Sequence, residues 1–215
     1  MKRAILITVA LAAALSSSGC SYNDLTAKQQ KVNAAWSKVE SAMQRRADLI
    51  PNLVEAAKMA GIQEQEVFGQ IADARSKLLD ASKSSAPTGD KTPEQKQAVI
   101  DANSTFGGTI GRLLSLQENY PVLRSNESFL KLQDELSGTE NRIKVARDDY
   151  TDAVNAYNTT RNSFPAVLTA GLLGFKEEPF FKADEGAKTA PKIDGNSLRR
   201  PTTQPAAPAP APANK

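Results

Sequence analysis

Histidine is absent from the 215 residues, and cysteine occurs once, at Cys20. Without imidazole the chain lacks the usual general base near neutral pH, the Ser-His and Cys-His nucleophile pairs, the HExxH zinc motif and histidine ligation of haem. A lone cysteine excludes an internal disulfide framework. The sequence also lacks a glycine-rich phosphate loop with a Walker lysine. We therefore predict no metal, no cofactor and no catalytic residue.

The chain also lacks a large net charge of either sign. The chain has 27 basic and 24 acidic residues, for a net charge of +3. It contains no basic stripe of the kind that binds phosphate backbones, so we predict no nucleic-acid partner. The plentiful carboxylates leave catalysis by Asp and Glu alone open, but on helices such residues usually form a solvated face.

The N-terminus has the pattern of an export signal. Lys2 and Arg3 precede an apolar stretch at residues 4–15. That stretch is shorter than the roughly 20 residues that a membrane-spanning helix needs. We therefore predict that residues 1–19 are a signal peptide.

The position of Cys20 resembles a bacterial lipobox, although Ser17 stands where leucine is usual. We predict that Cys20 becomes the lipidated N-terminus of a lipoprotein, held in the bacterial cell envelope by its acyl chains. Ser21 in the next position, rather than aspartate, favours the outer membrane, with the protein facing the periplasm. The alternative is an ordinary signal peptide whose cleavage site lies near a cysteine.

The C-terminal residues 184–215 are rich in proline and alanine and nearly free of large apolar side chains. Such a segment cannot bury enough apolar surface to offset the entropy lost on ordering. We predict a disordered tail there, which leaves residues 20–183 as one folded domain.

Glycine and proline cluster at a few joints between helix-favouring stretches. The segment Ser84–Pro93 predicts a loop. Thr92 and Gln95 predict a capping box at the start of the next helix. Ser125 or Asn126 is expected to cap the last long helix. No stretch alternates with period two for long enough to predict a strand.

The last long helix has the clearest periodicity. Large residues recur every seven positions, and mostly smaller ones occupy the position three residues later. Such a repeat keeps one seam facing its partners when helices supercoil. The two rows are Phe129, Leu136, Ile143, Tyr150 and Tyr157, and Leu132, Thr139, Ala146 and Ala153. With apolar rows in three earlier segments, they predict an all-α fold, an up-and-down four-helix bundle of long antiparallel helices.

Two local features have two interpretations each. Pro51 either kinks one long first helix or separates two helices, with Asp48 as the cap of the second. Gly107 and Gly111 lie four positions apart in the third helix. They either permit a close contact with another helix or with a partner, or are tolerated weak points, and the second interpretation is favoured.

Arg46 falls on the apolar row of the first helix, and Glu140 lies beside the seam of the last. A charge in such a position must be paired or must reach water. We predict that Arg45 or Arg46 pairs with Glu140 in a polar network that fixes the register of the helices. An anion-binding pocket is the less favoured alternative.

Several blocks of the sequence resemble the LemA family. They are Tyr22–Leu25, Ala35–Val54, Phe68, Ala74–Arg75, Glu118–Leu123, Leu132–Leu136, Thr139–Ile143, Ala146–Arg147, Tyr150, Val154, Tyr157–Asn158, Phe164–Pro165 and Gly174–Phe175. The resemblance implies a four-helix bundle outside the cytoplasm that is tethered by its N-terminus, and it brings no established catalytic residue. Relatives usually begin with a transmembrane helix, for which a lipid on Cys20 is the substitute predicted here.

Some members of that family are linked to the building of membrane structures. The resemblance therefore implies a non-catalytic scaffold or adaptor with a protein partner in the envelope. The alternatives are a carboxylate-based enzyme or ligand-binding bundle, and a coiled coil whose function is self-association. The apolar segment Ala166–Phe175 is expected to cap the bundle or, as the less favoured interpretation, to touch lipid.

Overall fold

Every regular element that the structure describes is helical. The structure is a computed structural model that describes residues 2–83 and 90–181, with side chains from residue 21 onward. The elements are α1 (Lys2–Met59), α2 (Gln65–Lys83), α3 (Pro93–Asn119), a 3-10 turn (Pro121–Ser125), α4 (Glu127–Asn162) and α5 (Ala166–Leu173). The described residues contain no strand, which confirms the all-α class for them. The side chains of the predicted signal peptide and of Cys20, and the tail predicted at 184–215, lie outside this description.

Two helices begin where their capping residues predict. The Thr92 hydroxyl accepts a hydrogen bond from the Gln95 amide (3.3 Å), and the Gln95 side chain accepts one from the Thr92 amide (2.9 Å). This capping box satisfies amides that the first turn of α3 leaves free. At α4 the Asn126 side chain accepts a hydrogen bond from the Phe129 amide (2.9 Å). Both predicted caps are confirmed, and Asn126 rather than Ser125 caps α4.

Pro51 lies inside α1, which is therefore one helix rather than two. A proline nitrogen cannot donate to the carbonyl four residues earlier, which here belongs to Ala47. Arg75 of α2 supplies the missing donor, because its Nε donates to the Ala47 carbonyl oxygen at 2.7 Å. Further along α1, Lys58 lies over the Phe68 ring at 5.7 Å. Later residues of α1 thus meet earlier residues of α2, so the two helices run antiparallel.

α4 packs along α1 in the opposite direction. The Lys28 ammonium donates to the Thr160 hydroxyl at 2.5 Å, and Lys38 lies 3.1 Å from Asp149. Residue numbers rise along α1 as they fall along α4, which makes this pair antiparallel as well.

α3 runs parallel to α1 and packs against α2. Lys96 donates to the Asn33 side chain at 3.0 Å. Further along both helices, Gly107 lies beside the Arg46 guanidinium. These helix directions are consistent with the predicted up-and-down order.

One apolar core draws side chains from all four long helices. The large residues of the predicted α4 seam, Phe129, Leu136, Ile143, Tyr150 and Tyr157, are all buried. They are joined by Trp36, Val39 and Met43 from α1, Phe68 and Leu78 from α2, and Phe106 and Leu113 from α3. In the second row, Thr139 and Ala146 are buried, whereas Leu132 and Ala153 are only partly buried. Burying a large apolar side chain stabilises the fold by about 1.5–3 kcal/mol, so this core accounts for most of the helix packing.

α5 packs on α1 and α4 through small residues. Ala166 and Ala170, one turn apart, are buried, whereas Leu168 and Leu172 are exposed. The helix ends at Gly174, whose φ of +73° is the left-handed conformation that glycine adopts without a steric penalty. Residues 174–181 then continue without helix, and we call this segment the strap.

Candidate functional site

Arg45 and Arg46 of the predicted polar network each form an ion pair with a carboxylate of α4, and only Arg46 pairs with the predicted Glu140. The Arg46 guanidinium lies 3.2 Å from the Glu140 carboxylate and stands over the Phe106 ring at 6.0 Å. Burial lowers the pKa of Arg46, and the Glu140 charge opposes this shift. Arg45 instead lies 3.1 Å from Glu135 on the exposed surface. Since Arg46 already faces a carboxylate, the geometry favours an ion pair over an anion pocket, and its effect on register stays a prediction.

Gly107 gives the Arg46 side chain room to lie between the helices. A Cβ atom added at Gly107 would lie 3.5 Å from the nearest guanidinium nitrogen, whereas one added at Gly111 would meet nothing within 4 Å. The two glycines therefore do not mark a close contact between helix backbones.

The strap is held to α4 by hydrogen bonds that the sequence pattern did not predict. The Tyr157 hydroxyl donates to the carbonyl oxygen of Lys176 (2.8 Å), and the Tyr150 hydroxyl donates to that of Pro179 (3.0 Å). Between them, the Asn158 amide donates to the Glu178 carbonyl oxygen (2.9 Å) and accepts from the Glu178 amide (3.0 Å). Side chains of one helix thus pair with the strap backbone much as a neighbouring strand would.

The environment of the two tyrosines agrees with a structural use of their hydroxyl groups. Burial, reinforced by the nearby Glu178 charge, raises the pKa of Tyr157 to about 12 and that of Tyr150 further still. Both phenols therefore stay protonated at neutral pH and act as hydrogen-bond donors.

Two ion pairs fasten the strap to the start of α3. In one the strap supplies the carboxylate, and in the other it supplies the ammonium group. Lys96 lies 2.9 Å from Glu178, and Lys176 lies 2.9 Å from Glu94. The first pair is buried and the second is exposed. Burial raises the pKa of Glu178, and the Lys96 ammonium opposes this shift. A slip of the strap by two residues would place like charges together, so these pairs favour a single register.

An aromatic cluster closes the end of the strap. Phe181 stacks on Trp36 at 6.2 Å and meets Tyr150 edge-on at 5.6 Å. The Arg147 guanidinium covers the same Phe181 ring at 4.4 Å. Aromatic pairs of this geometry add about 0.5–1.5 kcal/mol beyond the area that they bury.

Two signals in the sequence indicated that buried polar groups needed a partner, but they did not identify the strap as that partner. Tyr150 and Tyr157 occupy seam positions, and a buried tyrosine hydroxyl needs a hydrogen-bond partner. Lys96 precedes Val99 by three residues on the apolar face of α3, where a charge must be paired or reach water. Neither signal names the partner.

An open groove of about 1250 Å³ lies between α1 and α4. Its apolar lining comes from Ala42, Leu49, Val145 and Ala146. The ion pairs Lys38–Asp149 and Arg45–Glu135 also belong to the lining and bridge the two helices. The groove offers an elongated surface with an apolar centre and fixed charges.

Neither a metal site nor a membrane span is found in the part of the chain that the structure describes. No three acidic or thiol side chains there converge in a way that would hold a metal ion. None of the helices searched in that part combines the length and the apolar character needed to cross a bilayer.

Comparison with known proteins gives a family. Residues 35–194 match the profile of the LemA family. Magnetosome proteins MamQ 2 and MamQ 1 of Paramagnetospirillum magneticum are each 27% identical over 183 residues, which cover 78% of this chain and 67% of theirs. Protein LemA of Metamycoplasma hominis is 25% identical over 180 residues, covering 82% of this chain and 75% of that protein. Since the family profile covers most of its length, the chain belongs to the LemA family.

Proposed function

We propose that the chain is a non-catalytic scaffold or adaptor of the bacterial cell envelope. It is tethered to the membrane by a lipid on Cys20 and faces the periplasm, in the outer membrane rather than the inner one. Its four long helices form an up-and-down four-helix bundle, and the groove between α1 and α4 binds a helical segment of a protein partner. Membership of the LemA family supports this proposal, because such a role is what the resemblance to that family implies.

The groove is the observation that carries the proposal. Its α1 lining residues extend from Ser37 to Asn52 and recur every three or four positions. At 1.5 Å per residue, the groove follows the helix for about 22 Å, which is four turns. An amphipathic helix that lays its apolar face into a groove is a common mode of protein recognition. A surface of this length suits such a helix better than a small substrate.

The buried polar residues favour a scaffold over a carboxylate-based enzyme. Glu178, the one acidic side chain that is buried among the described residues, faces the Lys96 ammonium at 2.9 Å. Its backbone is bonded to Asn158 on both sides. These groups hold the strap in place, and that task accounts for their burial.

Photo-crosslinking from the groove in living cells tests the proposal. A benzophenone amino acid is placed at Val145, which is 61% exposed and lines the groove. The matched control is Val122, an exposed valine in the 3-10 turn outside the groove. A discrete crosslinked protein is expected from position 145, and none of the same mass from position 122.

Three results would contradict the proposal. One is equal labelling from both positions, and another is recovery of abundant envelope proteins alone. The third is a crosslinked band at twice the mass of the chain, which would support the self-association alternative instead.

A further inference from the structure

The largest group of exposed apolar side chains surrounds α5. Eleven large apolar residues are exposed in the described part of the chain, and six of them lie at this one end. These six are Tyr22, Phe164, Val167, Leu168, Leu172 and Leu173. No charged residue occurs from residue 162 to residue 175. The stretch that carries five of these six side chains therefore contributes no charge of its own to this surface.

α5 has the reverse of the usual arrangement for a surface helix. Its small residues Ala166 and Ala170 face the core, and its large residues face outward, with Leu172 86% exposed. A helix on a protein in water normally turns its polar face to solvent. Large contiguous apolar patches mark contact with another protein or with a membrane. This face is therefore suited to contact with an apolar medium rather than with water.

The position of α5 in the fold indicates which medium that is. The Phe175 ring, which follows α5, meets the Tyr22 ring of α1 at 5.9 Å. α1 continues without a break from Tyr22 back through Cys20 toward the apolar residues 4–15. At 1.5 Å per residue, Cys20 lies about 3 Å along the helix from Tyr22. The apolar face and the attachment point are therefore at the same end of α1.

We infer that the outward face of α5, formed by Val167, Leu168, Leu172 and Leu173, lies together with the preceding Phe164 in the interface of the phospholipid bilayer that carries the Cys20 anchor. This inference rests on the proposed membrane tether and adds a second contact with the same lipid surface. Apolar side chains at this depth, between headgroups and acyl chains, are how amphipathic helices lie on membranes. Two contacts at one end hold α1 so that it rises from the membrane. The groove then begins about 22 Å along α1 from Tyr22.

Tryptophan quenching by brominated lipid tests this contact in the full lipidated chain. The parent protein, with Trp36 as its one tryptophan, is reconstituted into phospholipid vesicles that contain brominated phosphatidylcholine. Leu172→Trp places a second tryptophan on the α5 face, and Leu168→Trp provides an independent copy of that test. Met59→Trp is the matched control, because Met59 is 73% exposed at the far end of α1.

The emission that Leu172→Trp and Leu168→Trp add to that of the buried Trp36 is expected at a shorter wavelength than that of a hydrated indole, and the brominated lipid is expected to quench it more than it quenches the parent. The Met59→Trp signal should instead stay at the wavelength of a hydrated indole and be quenched by acrylamide in solution. Flotation of the vesicles tests the tether at Cys20 separately from the α5 contact. If the chain floats but both α5 tryptophans behave like the control, the α5 contact is refuted and the tether stands.

Two other results would also overturn the inference. A blue shift at Leu172→Trp without quenching by the lipid would mean that a second copy of the chain covers the face. A parent chain that fails to float with the vesicles would remove the tether and the α5 contact together.

Discussion

Breaking the buried ion pair between Lys96 and Glu178 is expected to release the strap. The two side chains are 1% and 2% exposed, and their charged atoms lie 2.9 Å apart. Removing one partner leaves the other charge buried without compensation, which costs about 3–5 kcal/mol. Lys96→Met and Glu178→Leu should each lower the free energy of unfolding by about this amount.

Removing both charges together should cost less than removing either one. A buried pair replaced by apolar residues of similar volume is often neutral or stabilising, so Lys96→Met/Glu178→Leu is expected to recover most of the loss. Lys38→Met provides the matched control, because it breaks the exposed pair with Asp149. An exposed ion pair contributes about 0–1 kcal/mol, so the control should change stability little.

Urea unfolding followed by Trp36 fluorescence measures these differences. Trp36 is suited to the assay because it stacks on Phe181 of the strap. Hydrogen exchange of residues 174–181 shows whether the strap opens before the rest of the chain unfolds. The reasoning would be refuted if Lys96→Met cost no more than the exposed control, or if the double variant lost the sum of the two single losses.

Three further substitutions give separate predictions. Arg75→Ala should cost about 1–3 kcal/mol in urea unfolding, because the carbonyl that Pro51 leaves free loses its donor. In the Pro51→Ala background a backbone amide replaces that donor, so a cost that stayed the same would contradict the assignment. Gly107→Ala should raise the free energy of unfolding by about 1 kcal/mol, since the new Cβ would meet only a flexible side chain at 3.5 Å; a loss of stability would count against this. The hydrogen bond from Lys176 lowers the pKa of Glu94 from its ordinary value of 4.5 to about 2. The contribution of Glu94 to stability is therefore complete at a pH above 4.5 and is lost as the pH falls toward 2. Lys176→Gln should raise the pKa of Glu94 in an NMR titration, and an unchanged value would show that the pair has no effect.

The helices were predictable because their signals are local. The capping box at Thr92 and Gln95 lies within four residues, and the seam of α4 repeats every seven. Whether Pro51 lies within one helix or separates two could not be predicted in the same way. Whether a proline is tolerated inside a helix depends on a partner for the free carbonyl, and Arg75, which supplies it, lies 28 residues away from Ala47.

The strap could not be predicted because its contacts are distant in sequence and its own residues have no period. Lys96 and Glu178 are 82 residues apart. A lysine on a helix normally extends its ammonium to water, and only the return of the chain over α3 makes this one buried. Similarly, the seam pattern correctly places Tyr157 in the core but carries no information on where its hydroxyl donates.

Membrane attachment through Cys20 underlies both the proposed function and the position inferred for α5. The intact mass of the mature protein, purified from membranes without chemical cleavage, measures that attachment directly. The expected mass is that of residues 20–215 with an acylated, lipid-bearing N-terminal cysteine. The mass of an unmodified chain, or of one cleaved at a different residue, would contradict it.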